Sequence, residues 1–293
     1  MRELPRLITA MITPFKDDLS VDYEAAQKLA QLLINEGSEG LVISGTTGES
    51  PTLSVNEKME LFRAVKEAVG DKGYIIAGTG TNSTADCIKL TEGATKAGVD
   101  AVMIVVPYYN KPNAEGLYQH YKAAAGATDL PVILYNVPGR TGINMLPETV
   151  ARLSEIKNII AVKEASGNLD QVSMIRNMVP EDFIIYSGDD SLTLPMLSVG
   201  AYGVISVASH LVAPQIKEMI TAYTAGEVKK AAAIHGKLFD LFRTMFITAN
   251  PIPVKKALSL LGRTADTVRL PLVNATEDET EKIRTVMQQV GLL

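Results

Sequence analysis

The sequence has too little cysteine and histidine for a disulfide framework or a zinc centre. Cys87 is the only cysteine among 293 residues, so no intrachain disulfide can form. The three histidines, His120, His210 and His235, are far apart and lack the spacing that is typical of metal ligands. We therefore expect no metal site, and we interpret the histidines as surface or hydrogen-bonded structural residues.

Long basic runs and long apolar runs are also missing. The net charge is −5 at pH 7, which argues against nucleic acid as a partner. No stretch of about 18 uninterrupted apolar residues occurs, so no membrane span is expected. The first apolar stretch is short and is followed by charged residues at 16–18, not by a signal-peptide cleavage site. We expect a soluble, cytoplasmic protein.

The sequence is instead built from short apolar runs that alternate with helical patterns. Eight runs are nearly all apolar, as expected of parallel strands buried on both faces. They cover residues 7–13, 41–44, 74–78, 101–106, 132–135, 159–163, 183–187 and 203–206. The strand ends recur every roughly 20–35 residues, which is the size of one strand–helix unit.

Amphipathic helical patterns fill the gaps between these runs. They cover residues 23–35, 54–70, 84–97, 114–125, 147–153, 169–178, 191–199 and 214–225. Ser54 and Glu57 form a capping-box pair at the start of the second pattern, and Gly70 closes it. Three further helices, over 227–247, 253–261 and 277–290, follow the last strand.

This alternation predicts an α/β fold, a closed (β/α)8 TIM barrel with a C-terminal helical appendage. Eight units within about 225 residues fit a barrel better than a doubly wound sheet. No GxGxxG follows a strand and opens a helix, which weakens the dinucleotide-binding alternative. We expect a barrel with the active site over residues 1–226. A helical region over 227–293 would pack on the barrel or on a neighbouring subunit.

Lys163 is the most informative residue, because it ends the apolar run of the sixth strand, where an ammonium group is costly to bury. Strand alternation puts Lys163 on the same face as Ala161, towards the barrel interior. Partial desolvation there lowers the pKa of a lysine and leaves more free amine, the form that attacks a carbonyl. The alternative is a lysine that reaches the barrel mouth or pairs with Asp189 or Glu49.

Other polar residues are expected at the same carboxyl-terminal rim. Tyr135 ends the fifth strand, where a phenol can carry protons while an imine forms and collapses. Thr46 and Thr47 lie in a glycine-bounded turn that suits a carboxylate, and Arg140 can form a forked contact with a second carboxylate. Taken alone, Tyr135 could be a core tyrosine, the threonine turn an ordinary loop, and Arg140 a surface arginine. Together they indicate Schiff-base chemistry on an anionic keto acid, and the scattered acidic residues do not suggest a magnesium site.

Six motifs carry a resemblance to the dihydrodipicolinate synthase family that covers essentially the whole chain. They are GTTGES at 45–50, PYYNKP at 107–112, YNVPGRTG at 135–142, KEASG at 163–167, YSGDD at 186–190 and NPIPVK at 250–255. The resemblance implies condensation of pyruvate with L-aspartate 4-semialdehyde to 4-hydroxy-tetrahydrodipicolinate, in the diaminopimelate route of lysine biosynthesis. It also implies a homotetramer, built as a pair of tight dimers, that uses no organic cofactor.

The resemblance assigns the catalytic roles to four residues. It implies that Lys163 forms the Schiff base with pyruvate. Tyr135, Thr47 and Tyr109 would form the proton relay, with Tyr109 reaching in from the neighbouring subunit.

The resemblance also implies a set of substrate-binding residues. Thr46 and Thr47 would hold the carboxylate of pyruvate. Arg140 would bind the carboxylate of aspartate semialdehyde. Gly188 and Ile205 would shape the pocket through their backbone groups.

Two alternatives to this function remain open on the sequence. N-acetylneuraminate lyase and the 2-keto-3-deoxy sugar-acid aldolases of the same superfamily share the barrel, the lysine and the tyrosine. The lyases that resemble this fold lack an arginine at the position of Arg140, so this residue favours the synthase. A catalytically silent keto-acid sensor on the same scaffold would have no need of the full relay.

One departure from the family concerns regulation. In lysine-inhibited members the effector lies at the tight-dimer interface, at positions that match Ser50, Pro51, Val55, Lys58, Asn82, Asp86 and Tyr108. Those members commonly carry an imidazole or aromatic side chain at one or both of the positions of Val55 and Lys58. A cationic Lys58 would repel the ammonium groups of lysine. We therefore predict weak or absent feedback by lysine.

Overall fold

The closed barrel that the strand–helix alternation predicts is present in the computed structural model, which describes residues 4–293. Eight parallel strands follow one another around the barrel in chain order. They are β1 (Leu7–Ala10), β2 (Gly40–Ile43), β3 (Tyr74–Gly78), β4 (Ala101–Val105), β5 (Val132–Asn136), β6 (Ile159–Glu164), β7 (Ile184–Ser187) and β8 (Gly203–Ser206). Nearly all of their side chains are buried, as in other parallel barrels whose interior is filled by side chains.

Most helices begin and end close to the predicted residues. They are α1 (Tyr23–Asn35), α2 (Val55–Val69), α3 (Thr84–Lys96), α4 (Ala114–Ala125), α5 (Pro138–Thr141), α6 (Pro147–Ser154), α7 (Leu169–Met178), α8 (Thr193–Ser198), α9 (Ser209–Thr224), α10 (Val228–Thr244), α11 (Ile252–Leu260) and α12 (Glu277–Gln289). Side-chain caps mark the starts of α1, α2, α3, α4, α7 and α12. The capping box at α2 is present. The Ser54 hydroxyl accepts the N–H of Glu57, and the Glu57 carboxylate accepts the N–H of Ser54.

The structure differs from the sequence-based expectation at several element boundaries. The first strand ends at Ala10, and the Thr13 hydroxyl donates instead to the carbonyl oxygen of Gly48 at 2.7 Å. Helix α9 begins well before residue 214, with a non-helical residue at Val212 inside it. Helix α5, a single turn, was not predicted, since four residues are too few for a helical periodicity.

The chain divides into two compact units. One comprises the described residues up to Tyr74 together with Ser206–Leu293, and the other is Ile75–Ile205. Within the first unit, the C-terminal helices α10 and α11 pack on α9, and α12 packs on both α10 and α11. The predicted division into a barrel over 1–226 and a helical region over 227–293 stays a prediction.

The structure also bears on the membrane span and the metal site that the sequence argues against. None of the helices within residues 4–293 has the length and apolar character that a membrane crossing requires. Over the same residues, the histidine, cysteine, aspartate and glutamate side chains form no group of three or more that could hold a metal ion. His210 fits the structural interpretation, since it accepts the N–H of Ile12 and bonds to the carbonyl of Val207.

Cys87 provides a test of this fold, because it is the only thiol in the chain and lies fully buried on α3. Burial raises the pKa of the thiol to about 11. We expect iodoacetamide at about pH 8 to leave the native protein unmodified, since the thiol is both inaccessible and protonated. Intact-mass measurement should show one carbamidomethyl group only after unfolding in denaturant. Rapid labelling of the native protein would contradict the packing of α3.

Candidate active site

The strand ends that carry Tyr135 and Lys163 lie side by side in the unit Ile75–Ile205. Strands β5 and β6 pair in parallel, with Tyr135 opposite Lys163 in the register. The Nζ atom of Lys163 lies 4.4 Å from the centroid of the Tyr135 ring. Both side chains are buried, and Lys163 is only 5% exposed. The sequence-based expectation that these two residues meet is confirmed by this geometry.

The environment of Lys163 favours its neutral form. Burial is the largest cause, and it lowers the pKa of Lys163 from 10.5 to about 8 because desolvation disfavours the ammonium form. The carboxylate of Asp190 raises this pKa, and the guanidinium of Arg140 lowers it. At a pH near 8, about half of the amine is therefore unprotonated and able to attack a carbonyl.

The carboxylates that were weighed as ion-pair partners of Lys163 have other partners. The Oδ1 atom of Asp189 accepts the backbone N–H and the hydroxyl of Ser191, each at 2.8 Å. The carboxylate of Glu49 pairs with Lys255 at 2.5 Å. Because Asp189 and Glu49 are engaged in these contacts, neither of them serves as the counter-ion of Lys163.

Gly188 allows the end of β7 to approach the lysine closely. A Cβ atom added at Gly188 would lie 2.7 Å from the Cβ of Ala165 and 3.2 Å from the Cε of Lys163. The backbone N–H of Gly188 donates to the carbonyl oxygen of Glu164 at 2.8 Å. A side chain at this position would therefore clash with Ala165 and crowd the lysine side chain. Ile205, the other predicted backbone contributor, is buried in β8.

Arg140 and Tyr109 lie on the surface of the same unit. Arg140 is exposed on α5, the short helix that follows β5. Its positive charge lowers the pKa of Lys163. Tyr109 follows β4 with a positive φ of 72°, and its side chain is 88% exposed. Such exposure suits a side chain that completes the site of a neighbouring subunit, and this role stays a prediction.

A buried polar network on these strands was not predicted. The Glu164 carboxylate, 1% exposed, accepts the Nδ2 of Asn136 at 3.0 Å and the Nε2 of Gln171 at 3.1 Å. Asn136 also donates to Asn144, and Gln171 on α7 bonds to the same residue. The network therefore joins β5, β6, α7 and the loop between α5 and α6. Its signal in the sequence is a polar residue directly after each of the two site residues, which alternation places on the outer face.

The threonine loop after β2 belongs to the other unit and is held rigidly there. Thr47 is 3% exposed, and Thr46 is half-buried. The backbone N–H of Glu49 donates to the carbonyl oxygen of Thr46 at 3.1 Å. The Nδ2 atom of Asn250 donates to the Oγ1 of Thr47 at 2.9 Å. The last contact was not predicted, although Asn250 opens the NPIPVK motif.

Glu49 anchors this loop to the C-terminal helical segment of its unit. Its carboxylate pairs with Lys255, whose Nζ atom also donates to the carbonyl oxygen of Thr267 at 2.7 Å. The same carboxylate accepts the backbone N–H of Arg269 at 3.0 Å. Both cations lie over the ring of Phe15, with Lys255 Nζ 4.2 Å from its centroid. Glu49 has a positive φ of 54°, which these contacts hold in place.

The residues that match the family's effector site are divided between the two units. Those of the first unit are Ser50, Pro51, Val55 and Lys58, and those of the second are Asn82, Asp86 and Tyr108. Val55, the first residue of α2, is 58% exposed, whereas Lys58, in the first turn of the same helix, is only 7% exposed. Burial lowers the pKa of Lys58. Whether these residues form an effector site stays a prediction.

A (β/α)8 barrel with a buried, partly neutral lysine beside a tyrosine at the ends of two strands defines a lyase of the class I aldolase type. The sequence model of the Dihydrodipicolinate synthetase family matches residues 3–290. The chain belongs to this family, as its motifs indicated.

Known relatives agree with this assignment over the full length of the chain. The 4-hydroxy-tetrahydrodipicolinate synthase of Moorella thermoacetica is 58% identical over 288 residues, which are 98% of this chain and 99% of that protein. A crystal structure of the enzyme from Cyanidioschyzon merolae with lysine bound is 49% identical and has a TM-score of 0.97, with 98% of each chain covered. A dihydrodipicolinate synthase structure from Bacillus anthracis is 48% identical with a TM-score of 0.96, covering 98% of this chain and 99% of that one.

The lowered pKa of Lys163 can be measured directly by its reactivity. We expect reductive methylation with formaldehyde and cyanoborohydride to reach half of its maximal rate at Lys163 near a pH of about 8. Only the neutral amine reacts, so the rate should rise with pH through this value. Peptide mass spectrometry would follow Lys163, with the exposed Lys229 as an internal reference for the completeness of the reaction.

The variant R140Q tests whether the charge of Arg140 contributes to the lowered pKa of Lys163. It removes a positive charge that lowers the pKa of Lys163, so its midpoint should move to higher pH. A midpoint for Lys163 near the ordinary lysine value of about 10.4 would show that burial does not shift the pKa.

Proposed function

We propose that this chain condenses pyruvate with L-aspartate 4-semialdehyde to 4-hydroxy-tetrahydrodipicolinate, in the diaminopimelate route of lysine biosynthesis. The observation that carries the proposal is the buried amine of Lys163, with its pKa near 8, beside the ring of Tyr135. Membership of the family and the activity named for the curated relatives support it. The enzyme acts in the cytoplasm as a homotetramer, a dimer of tight dimers, and needs no organic cofactor.

The first half of the reaction forms an imine with pyruvate. The neutral amine of Lys163 attacks the keto carbon, and the carbinolamine then loses water to give the protonated imine. Tyr135, Thr47 and Tyr109 carry protons to and from the carbinolamine oxygen, with Tyr109 supplied by the neighbouring subunit. Thr46 and Thr47 bind the carboxylate of pyruvate through N–H and hydroxyl groups.

The second half forms the new carbon–carbon bond. The protonated imine withdraws electrons, so the methyl carbon loses a proton and an enamine forms. The enamine carbon attacks the aldehyde carbon of the second substrate, whose carboxylate is bound by Arg140. The amino group of that substrate then adds to the imine carbon, which closes the ring and expels Lys163. The water lost during imine formation is the only by-product, and Gly188 and Ile205 shape the pocket.

Substitution of the lysine tests this assignment. Both K163A and K163R should lose about 10³-fold or more in turnover, since arginine keeps the charge but forms no imine. Turnover would be followed as pyruvate consumption with aspartate semialdehyde, coupled to a downstream reductase. Borohydride should trap a pyruvate adduct on the wild type and on neither variant.

The exposed Lys229 supplies the matched control, because K229A should keep full turnover. A pyruvate adduct trapped on another residue of K163A would refute Lys163 as the nucleophile. A folded wild type that traps pyruvate but does not turn over the semialdehyde would transfer the assignment to a sugar-acid aldolase.

We also propose that lysine inhibits this enzyme weakly or not at all. Lys58 places a cation where lysine-inhibited members commonly carry an imidazole or aromatic group, and Val55 offers only an apolar contact. Although burial lowers the pKa of Lys58, a charge at this position repels the ammonium groups of the effector. A relative that is 49% identical, from Cyanidioschyzon merolae, has been crystallised with lysine bound, so this proposal concerns a difference within the family.

Lysine titration of the coupled assay tests the regulatory proposal. Lysine at about 1 mM should leave more than half of the activity, which corresponds to an affinity weaker than about −4 kcal/mol. The variant K58H removes the repelling ammonium and should be inhibited at lower lysine concentrations than the wild type. Half-inhibition of the wild type at sub-millimolar lysine would refute the proposal.

A further inference from the structure

We propose that Asn250 is a positioning residue for the Thr47 hydroxyl, and that it fixes this hydroxyl as a proton donor. The inference rests on the role proposed for Thr47 in the proton relay. Both residues belong to the unit that contains the C-terminal helices, and 203 positions of sequence separate them.

The direction of the hydrogen bond carries the first step. The amide nitrogen of Asn250 has only protons to offer, so at 2.9 Å it donates to the Oγ1 of Thr47. With one lone pair of the oxygen used in this way, the hydroxyl proton is left for a different acceptor. Both side chains are nearly buried, at 3% exposed for Thr47 and 7% for Asn250, so solvent competes little for either group.

The carbonyl oxygen of the Asn250 side chain indicates that packing alone does not account for an asparagine at this position. Its Oδ1 atom is buried and has no hydrogen-bond partner among residues 4–293. An unpaired buried carbonyl destabilises a fold, and an apolar residue would avoid that cost. The contact with Thr47 is the one hydrogen bond of the side chain in the described part, so the amide acts there through the hydroxyl.

Helix α11 makes this contact rigid because it holds the threonine loop at a second point. Asn250 lies just before the helix, and Lys255 lies in its first turns. Lys255 pairs with Glu49, which follows Thr47 closely along the loop. The backbone N–H of Lys255 donates to the carbonyl oxygen of Pro251 at 3.0 Å, which links the two contact points. The loop and the amide therefore cannot shift independently.

A double-mutant cycle distinguishes positioning from packing. The variants N250A and N250D would be made in the wild type and in T47V, which keeps a branched side chain but lacks the hydroxyl. The readout is the rate of imine formation with pyruvate alone, trapped by borohydride and quantified by intact mass. The exposed Asn274 supplies the control N274D.

In the wild-type background, N250A should slow imine formation roughly 10- to 100-fold, as expected when a relay group loses its orientation. N250D should be at least as slow although it conserves shape, because a carboxylate only accepts and would take the hydroxyl proton. Neither substitution should slow T47V further, and N274D should match the wild type. Melting curves would show that each variant is folded.

Equal slowing of the wild type and T47V by N250A would overturn the proposal and leave Asn250 as a packing residue. A rate for N250D equal to that of the wild type would also overturn it, because the direction of the bond would not matter. The assay contains no aldehyde, so it separates this inference from the choice of second substrate. A wild type that forms no pyruvate adduct would overturn the proposed function and this inference together.

Discussion

The chemistry of this protein depends on keeping the amine of Lys163 out of water. A shift of its pKa from 10.5 to about 8 corresponds to roughly 3 kcal/mol that disfavours the ammonium form. Such a penalty persists only where the surroundings cannot relax around the charge. The parallel register of β5 and β6, the Tyr135 ring and the close approach at Gly188 form surroundings of this kind. A lysine amine that is partly neutral near pH 8 is thus a consequence of close packing.

Successive side chains of a strand point to opposite faces, so neighbouring residues in β5 and β6 have different functions. Lys163 and Tyr135, the residues proposed to meet the reactants, lie on one face, and Glu164 and Asn136 directly follow them in β6 and β5. These followers form the buried network with Gln171 on α7. Each reactive side chain is therefore adjacent in sequence to a residue that fixes its strand against the surrounding helices. The loop after α5, the helix that carries Arg140, joins the same network through Asn144.

The sequence was sufficient for everything that follows from local periodicity. All eight strands, their parallel order and the position of Lys163 at the end of β6 could be predicted, because alternation and capping act over a few residues. The bond from Asn250 to Thr47 could not be predicted, since it joins residues 203 positions apart. The burial of Lys58 was also beyond reach, because an amphipathic pattern does not predict a buried lysine on a helix.

The pairing of Lys255 with Glu49 has a consequence for what a minimal version of this enzyme requires. The barrel strands end at Ser206, and a designer who sought the smallest catalytic scaffold would be inclined to discard the helices beyond α9. That truncation would leave the Glu49 carboxylate buried without its counter-ion, a change that typically destabilises a protein by about 3–5 kcal/mol. It would also remove the amide that holds Thr47. The smallest autonomous catalyst is therefore longer than the smallest closed barrel.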